Sequence, residues 1–336
     1  MIRIDGRTGG GQVLRSSLTL SLITQKPFLI TDIRANRSRD GLLRQHLTAA
    51  QAAAEVGEAE TEGLRQKSRS LFFRPHGIAP GDYAWDIGSA GSTSLVLQTV
   101  LPALRFADGR STVSVTGGTH NPSAPPFEIL SECWAPLLGA SVELERRGFV
   151  PEGGGRVRAH IEPGAIGPIS AIERGGIKRI RAKALVCGLP KKIGERELRT
   201  LGQELDLRGA EVELHDEPTG NALFVEVECR RARLLFCGFG ELHKRAEDVA
   251  QELARVVRRT LDADVPVDGH LADQLVLLGA IGEGARFRTL KPTEHLRANI
   301  EIIRAFLDVE VEVDRVNDRA WEVRVSPRGG RSATPR

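Results

Sequence analysis

Several absences narrow the reading of this sequence before anything present does. No apolar run reaches the length of a membrane span, and no secretory leader opens the chain; the expectation is a cytoplasmic protein with no membrane partner. Cysteine is scarce. Cys133, Cys187, Cys229 and Cys237 show neither CxxC nor zinc-ligand spacing, which argues against a zinc site or a disulfide framework and leaves reduced core thiols. A charge excess is missing too: 47 basic and 44 acidic residues leave a net +3, so any nucleic-acid surface must be local. There is one methionine and one tyrosine, and arginine outnumbers lysine, a bias that reads as genomic or thermal rather than functional. Neither a GK[ST] phosphate loop nor a GxGxxG dinucleotide turn is present.

What remains is an ordinary globular composition, 336 residues with 40% hydrophobic and 27% charged, enough for two domains or one large domain with an insertion. A pattern repeats along it. GQVLRSSLTLSLITQ has helical apolar spacing, PFLITDI reads as a strand, GLLRQHLTAAQAAAEVG as a helix and SLFFRP as a strand. The order recurs in GSAGSTSLVLQTVLPALRF, STVSVTGG, PFEILSECWAPLLGA and SVELERRG, and again in HLADQLVLLGAIGEG, RFRTLK, EHLRANIEIIRAFL and VEVEVDRV. The expected fold is therefore α/β (α+β): three helix–strand–helix–strand units packed as a core. Between the second and third copies the pattern breaks. Residues 181–266 read as a small inserted α/β domain, leaving 1–180 and 267–326 as the core and 327–336 as a disordered Gly/Pro/Ser-rich tail.

Glycine and arginine cluster where the repeats turn. GGGQVLR, from Gly9 to Arg15, leads glycines into a helix start, where backbone N–H groups and the helix dipole suit an anion. IRANRSRDGLLRQH gathers Arg34, Arg37, Arg39 and Arg44 with only Asp40 as an acidic neighbour, a density that suits bidentate grips on phosphate. GSAGSTS adds small hydroxyl residues at another helix start, GGTHNPSAPP a rigid polar loop, and RGFVPEGGGRV a further glycine run. His120, in GGTHNPSAPP, reads as an exposed loop histidine. Thr293 is the expected N-cap of a helix with His295 in its first turn; the dipole there disfavours imidazolium and keeps the ring nucleophilic.

Taken together these stretches resemble the RNA 3'-terminal phosphate cyclases, over nearly the whole chain. RGFVPEGGGRV looks like that family's signature, and HLADQLVL and EHL-x-x-NI follow in order. The resemblance implies an ATP-dependent ligase that turns an RNA 3'-phosphate into a 2',3'-cyclic phosphodiester through an AMP–histidine and an RNA–ppA intermediate. It implies His295 as nucleophile, with Asp273, Arg15 and Arg37 as further catalytic residues. It places Arg34, Arg44, Gln45, Gln98, Pro125, His270 and Gln274 around nucleotide and phosphate. A divalent metal, Mg or Mn, is expected to bind mainly through the ATP phosphates, helped by Asp5 or Asp273, because Thr8 stands where relatives often carry a glutamate ligand. Two other readings stay open: a cyclase-like, non-catalytic RNA-binding protein of ribosome assembly, and an enolpyruvyl transferase sharing the repeated architecture. Oligomeric state and the natural RNA are left open by the sequence.

Overall fold

The computed structural model describes residues 1–7 and 9–328; Thr8 and the tail from 329 onward lie outside the described residues. The first unit runs β1 (Ile2–Asp5), α1 (Gly11–Thr24), β2 (Phe28–Thr31), α2 (Arg44–Val56), β3 (Glu60–Glu62) and β4 (Leu71–Arg74). Its sheet has the order β1-β2-β4-β3, with β1 and β2 parallel and the other pairs antiparallel. A parallel pair needs a crossover, and α1 supplies it.

The second unit repeats this. It runs β5 (Asp82–Asp86), α3 (Thr93–Leu104), β6 (Ser111–Gly117), α4 (Phe127–Ile129), a π-helical turn (Leu130–Trp134), α5 (Ala135–Leu138), β7 (Ala140–Arg146) and β8 (Gly155–Ile161), in the order β5-β6-β8-β7. The third begins with β9 (Ile169–Ala171) and is then interrupted. A separate four-stranded sheet intervenes: β10 (Ile177–Cys187), α6 (Lys192–Glu204), β11 (Ala210–His215), β12 (Gly220–Cys229), β13 (Arg233–Phe239) and α7 (Ala246–Asp262), ordered β11-β10-β12-β13. The third unit then resumes with α8 (Gly269–Ile281), β14 (Ala285–Thr289), α9 (Glu294–Phe306), β15 (Val309–Arg315) and β16 (Trp321–Pro327), giving β9-β14-β16-β15.

The three core sheets thus share one strand order and one set of directions. The sequence pattern marks the helices but does not mark β3, β5, β8, β9 and β16. Two placements change as a result. The inserted segment interrupts the third unit after its first strand instead of lying between units, and β10 starts at Ile177, ahead of the expected boundary at 181. Pro327, expected in the tail, is the last residue of β16 and pairs with Val309.

The first helix of each unit is a buried helix by composition. All of α3 is buried and it carries no charge; α1 carries only Arg15, and α8 only His270 and Asp273. A helix apolar on every side has to sit inside. One continuous core joins the three units, and α1 packs against both α3 and α9. A second core belongs to the inserted sheet and its helices α6 and α7. Aromatic rings help fill this interior: Phe28, Phe73 and Phe306 meet in it, with Phe28 edge-on to Phe306 at 6.0 Å between ring centroids.

Phe306 ends α9 and is 1% exposed, so Phe306→Ala opens a cavity between the first and third units. Urea unfolding should show a loss of about 3–5 kcal/mol; an unchanged midpoint would contradict this packing.

Candidate active site

Helix starts from different units meet at one place. Gly9 and Gly10 precede α1 with φ of 69° and 58°, in the left-handed region that favours glycine. Gly9 packs on Ala298 of α9. A methyl group on Gly10 would lie 3.3 Å from the Arg37 guanidinium, and one on Gly11 would strike the His46 ring. Arg44 donates to the Gly88 carbonyl, and the Gln45 carboxamide oxygen accepts from Ser92 N–H at 3.1 Å, tying the start of α2 to the turn before α3. Gly269, at the start of α8, lies against Thr293 at the start of α9. Asn121 donates to the Ala90 carbonyl at 2.8 Å, so the loop after β6 closes on the same turn.

The surroundings are positive by arrangement. Nearby carboxylates are already engaged: Asp5 and Asp32 face Arg7, and Asp40 faces Arg69. Among the described residues, Arg15, Arg34, Arg37 and Arg44 pair with no carboxylate. Burial, and then Arg34, bring the Arg15 pKa down to about 10, which still leaves it charged at neutral pH. Arg34 is lowered by burial and by Arg37. It holds a left-handed backbone (φ 59°), uncommon for a residue with a side chain, and its guanidinium reaches the Arg39 carbonyl at 2.9 Å. Like charges held together without counterions make a site that an anion would relieve.

His295 sits half-buried in the first turn of α9, below the Thr293 cap, whose hydroxyl accepts from Leu296 N–H at 2.9 Å. Its pKa is lowered, first by burial and then by Arg15 and Arg37; a hydrogen bond to the backbone of Gly9 opposes this. Burial and the two arginines thus favour the neutral ring, in the same direction as the dipole of the helix start. Among the described residues, His295 Nδ1 is buried without a hydrogen-bond partner, and so are Arg34 Nε, His46 Nδ1 and Gln98 Oε1. Native interiors rarely leave such atoms orphaned, and a ligand is one reason for them.

A polar chain runs beneath. Asp273 is 4% exposed; its Oδ1 accepts from the Thr293 hydroxyl at 2.6 Å, and its carbonyl accepts from Asn299 Nδ2 at 2.7 Å. Asn299 Oδ1 accepts from Ser16 at 2.6 Å and from Gln12 Nε2 at 3.3 Å, while Gln12 Oε1 accepts from Arg15 at 2.6 Å. This chain joins α8, α9 and α1. Burial raises the Asp273 pKa to about 6 despite the Thr293 hydrogen bond.

The structure brings His295, Arg15, Arg37 and Asp273 together. His270, exposed at the start of α8, acts electrostatically on both His295 and Asp273. Gln274 is half-buried on α8, Gln98 is buried in α3, and Pro125 is half-buried just before α4. No three His, Cys, Asp or Glu side chains come together for a metal among the described residues. His120 differs from the expectation of an exposed loop: it is 1% exposed, pairs with Glu128 at 3.1 Å and stacks on Phe149 at 4.8 Å. The site also contains Gln12, Asn299 and His46, which lie within the quoted motifs but are given no role there. The His46 pKa falls to about 3 through burial, then Arg15 and Arg34, so this ring is a neutral wall for Arg15. The sequence signal for Gln12 and Asn299 is their membership of GGGQVLR and EHL-x-x-NI, beside the Gly-rich turn and the His295 helix start.

Comparisons with known proteins bear on this arrangement. A family model described as RNA 3'-terminal phosphate cyclase matches residues 7–313. An RNA 3'-terminal phosphate cyclase from Ectopseudomonas mendocina (strain ymp) is 47% identical over 332 residues, covering 96% of this chain and 97% of that one. Another from Koribacter versatilis (strain Ellin345) is 44% identical over 325 residues, covering 93% and 92%. A crystal structure of the enolpyruvyl transferase NikO from Streptomyces tendae aligns with a TM-score of 0.39 at 10% identity, over 96% of this chain and 47% of that one.

Two outcomes follow from the charges. The folded Asp273 carboxyl has its pKa above the unfolded value of 3.8, so the folded state binds the extra proton, and stability falls as pH rises from about 4 through about 6. Asp273→Asn removes that penalty and should raise stability at pH 7 by about 2–3 kcal/mol in chemical denaturation; a destabilised variant would show that the charged form is the favoured one. In NMR titration, the His295 ring should titrate below free imidazole, and Arg37→Gln should move it upward, because a like charge is gone. No movement would remove Arg37 from the site.

Proposed function

The chain belongs to the RNA 3'-terminal phosphate cyclase family, and on that basis we propose that it uses ATP to convert an RNA 3'-terminal phosphate to a 2',3'-cyclic phosphodiester. His295 attacks the α-phosphorus of ATP and pyrophosphate leaves, forming a covalent AMP–histidine. The AMP passes to the RNA 3'-phosphate as RNA–ppA. The adjacent 2'-hydroxyl then attacks the terminal phosphorus, closes the ring and expels AMP. The observation that carries this reading is one neutral imidazole with an orphaned Nδ1, set among unpaired arginines at a glycine turn.

Each residue has work consistent with its place. Arg15, Arg34 and Arg37 offset charge on the phosphates and on the departing pyrophosphate, and Arg44 and Gln45 position the turn before α3. Asp273 holds Thr293, and through it the first turn that carries His295. His270, Gln98, Gln274 and Pro125 are assigned to the nucleotide. The carboxylates do not form a metal cage among the described residues, since Asp5 faces Arg7 and Asp273 stands alone; a divalent ion would come in on the ATP phosphates and supply charge neutralisation there. The four cysteines are free thiols, which suits the reducing cytoplasm. Among the described residues, no helix is long and apolar enough to cross a membrane. A non-catalytic RNA-binding role would have no use for a neutral His295.

Incubation with α-labelled ATP and Mg or Mn should give an acid-labile, base-stable protein–AMP adduct. His295→Ala should abolish it, while His120→Ala should keep it per mole of folded protein. Persistent labelling of His295→Ala would refute the assignment.

A further inference from the structure

A cleft of about 470 Å³ lies between the end of α7 and the third unit, lined by none of the residues assigned to the candidate site. That volume is within the roughly 300–1,000 Å³ of small-ligand sites. Arg255, Arg258 and Arg259 line one wall, Lys291 and Arg319 the other, with Trp321 and Leu290 between them. Two carboxylates, Asp262 and Asp318, stand against these five cations, so the local surplus equals the +3 of the entire chain. Arg258 is spent on Glu204, and Asp318 is neutralised by Arg315, which also lies over the Trp321 ring at 5.8 Å. Among the described residues, Arg255, Arg259, Lys291 and Arg319 pair with no carboxylate, and all four are exposed. Some of this charge offsets the negative end of the α7 dipole, but Lys291 and Arg319 come from other elements.

The cleft is joined to the active centre through one loop. Leu290 and Lys291 follow β14, and Thr293 and His295 come next. Lys291 and His295 are four positions apart, at most about 14 Å of chain. The Thr289 hydroxyl donates to the Asp268 carbonyl at 3.3 Å, so the end of β14 is fixed to the start of α8 as well. We propose that this cleft is a second RNA subsite, in which arginine and lysine hold phosphodiesters upstream of the 3' end and Trp321 offers an aromatic surface to a base. The assignment rests on the cyclase reading for its direction of approach. In it, the inserted helix α7 forms one bank of a channel that leads RNA to His295. Guanidinium forks and a half-buried indole in the cleft lining suit single-stranded nucleic acid; an acidic protein would need a larger apolar anchor than Leu290 and Trp321 provide.

The test compares wild type with Arg255→Glu/Arg259→Glu/Arg319→Glu, and with the milder triple change to Gln should the first fold poorly. RNA 3'-phosphates of roughly 20 nucleotides and of about three nucleotides serve as probes. For the long RNA, KM should rise about tenfold with kcat held, and the slope of log Kd against log salt should fall by about two, the expectation for three lost contacts to a single strand. The short RNA and His295 self-adenylylation should be unchanged. Fluorescence anisotropy without ATP reads the cleft even if no cyclic product ever forms, so the two proposals fail separately. Unaltered KM and salt slope for the long RNA in a folded variant overturn the subsite. A raised KM for ATP would instead make it a nucleotide site, and loss of an acidic protein partner with RNA binding intact would make it a protein-docking face; either result overturns it.

Discussion

Asn299 is the residue on which the site's geometry turns. Its amide is fully buried, and both ends are used: Nδ2 on the Asp273 backbone, Oδ1 on Ser16 and Gln12. Because an unmet buried polar group costs about 1–3 kcal/mol, the helices that carry these partners cannot slide independently. Arg15 is held by Gln12, and the first turn of α9 is held by Thr293 and Asp273. One side chain thereby fixes the distance between a cation and the imidazole it must serve.

The same constraint explains why the interior accepts an unfavourable carboxylate. Asp273 is buried, its ionised form is disfavoured, and its only side-chain partner among the described residues is a neutral hydroxyl. Leu275, Val276 and Leu277, which follow it on α8, are buried and apolar, so the packing there does not call for an acid. Arg15 is the equivalent case on α1, as a lone cation in a helix otherwise built of apolar, serine and threonine residues with Gln12. Such placements exchange stability for charge, a pattern typical of functional sites.

Much of this can be read from residues alone, for identifiable reasons. Helices α1, α3 and α8 announce themselves because buried helices are long apolar runs bounded by glycine turns. His295 is legible from its Thr293 cap. The strands that escape the pattern do so for physical causes: β5 alternates exposed and half-buried residues, β9 is three residues long, and the glycine run before β8 masks its alternation. The burial of His120 is invisible locally, because nothing in its loop shows Phe149 and Glu128 closing over it. In sequence His46 is one more polar residue beside Arg44 and Gln45; its burial against Gly11 depends on how α1 and α2 cross, which no single stretch encodes. The repeat itself is visible, but its interruption after β9 is not, since a three-residue strand gains its identity only by pairing with β14.

That interruption has a consequence for how the molecule comes into being. The first two units draw each sheet from a continuous stretch, whereas β9 must wait for residues 172–284 before β14 can pair with it. Contacts so distant along the chain close late and slowly. Of the three units, the one bearing His295 is also the last to emerge from the ribosome. A nascent chain consequently holds the arginines and glycine turns of its first unit before His295 can join them, so the pocket is complete only after the inserted sheet has been made.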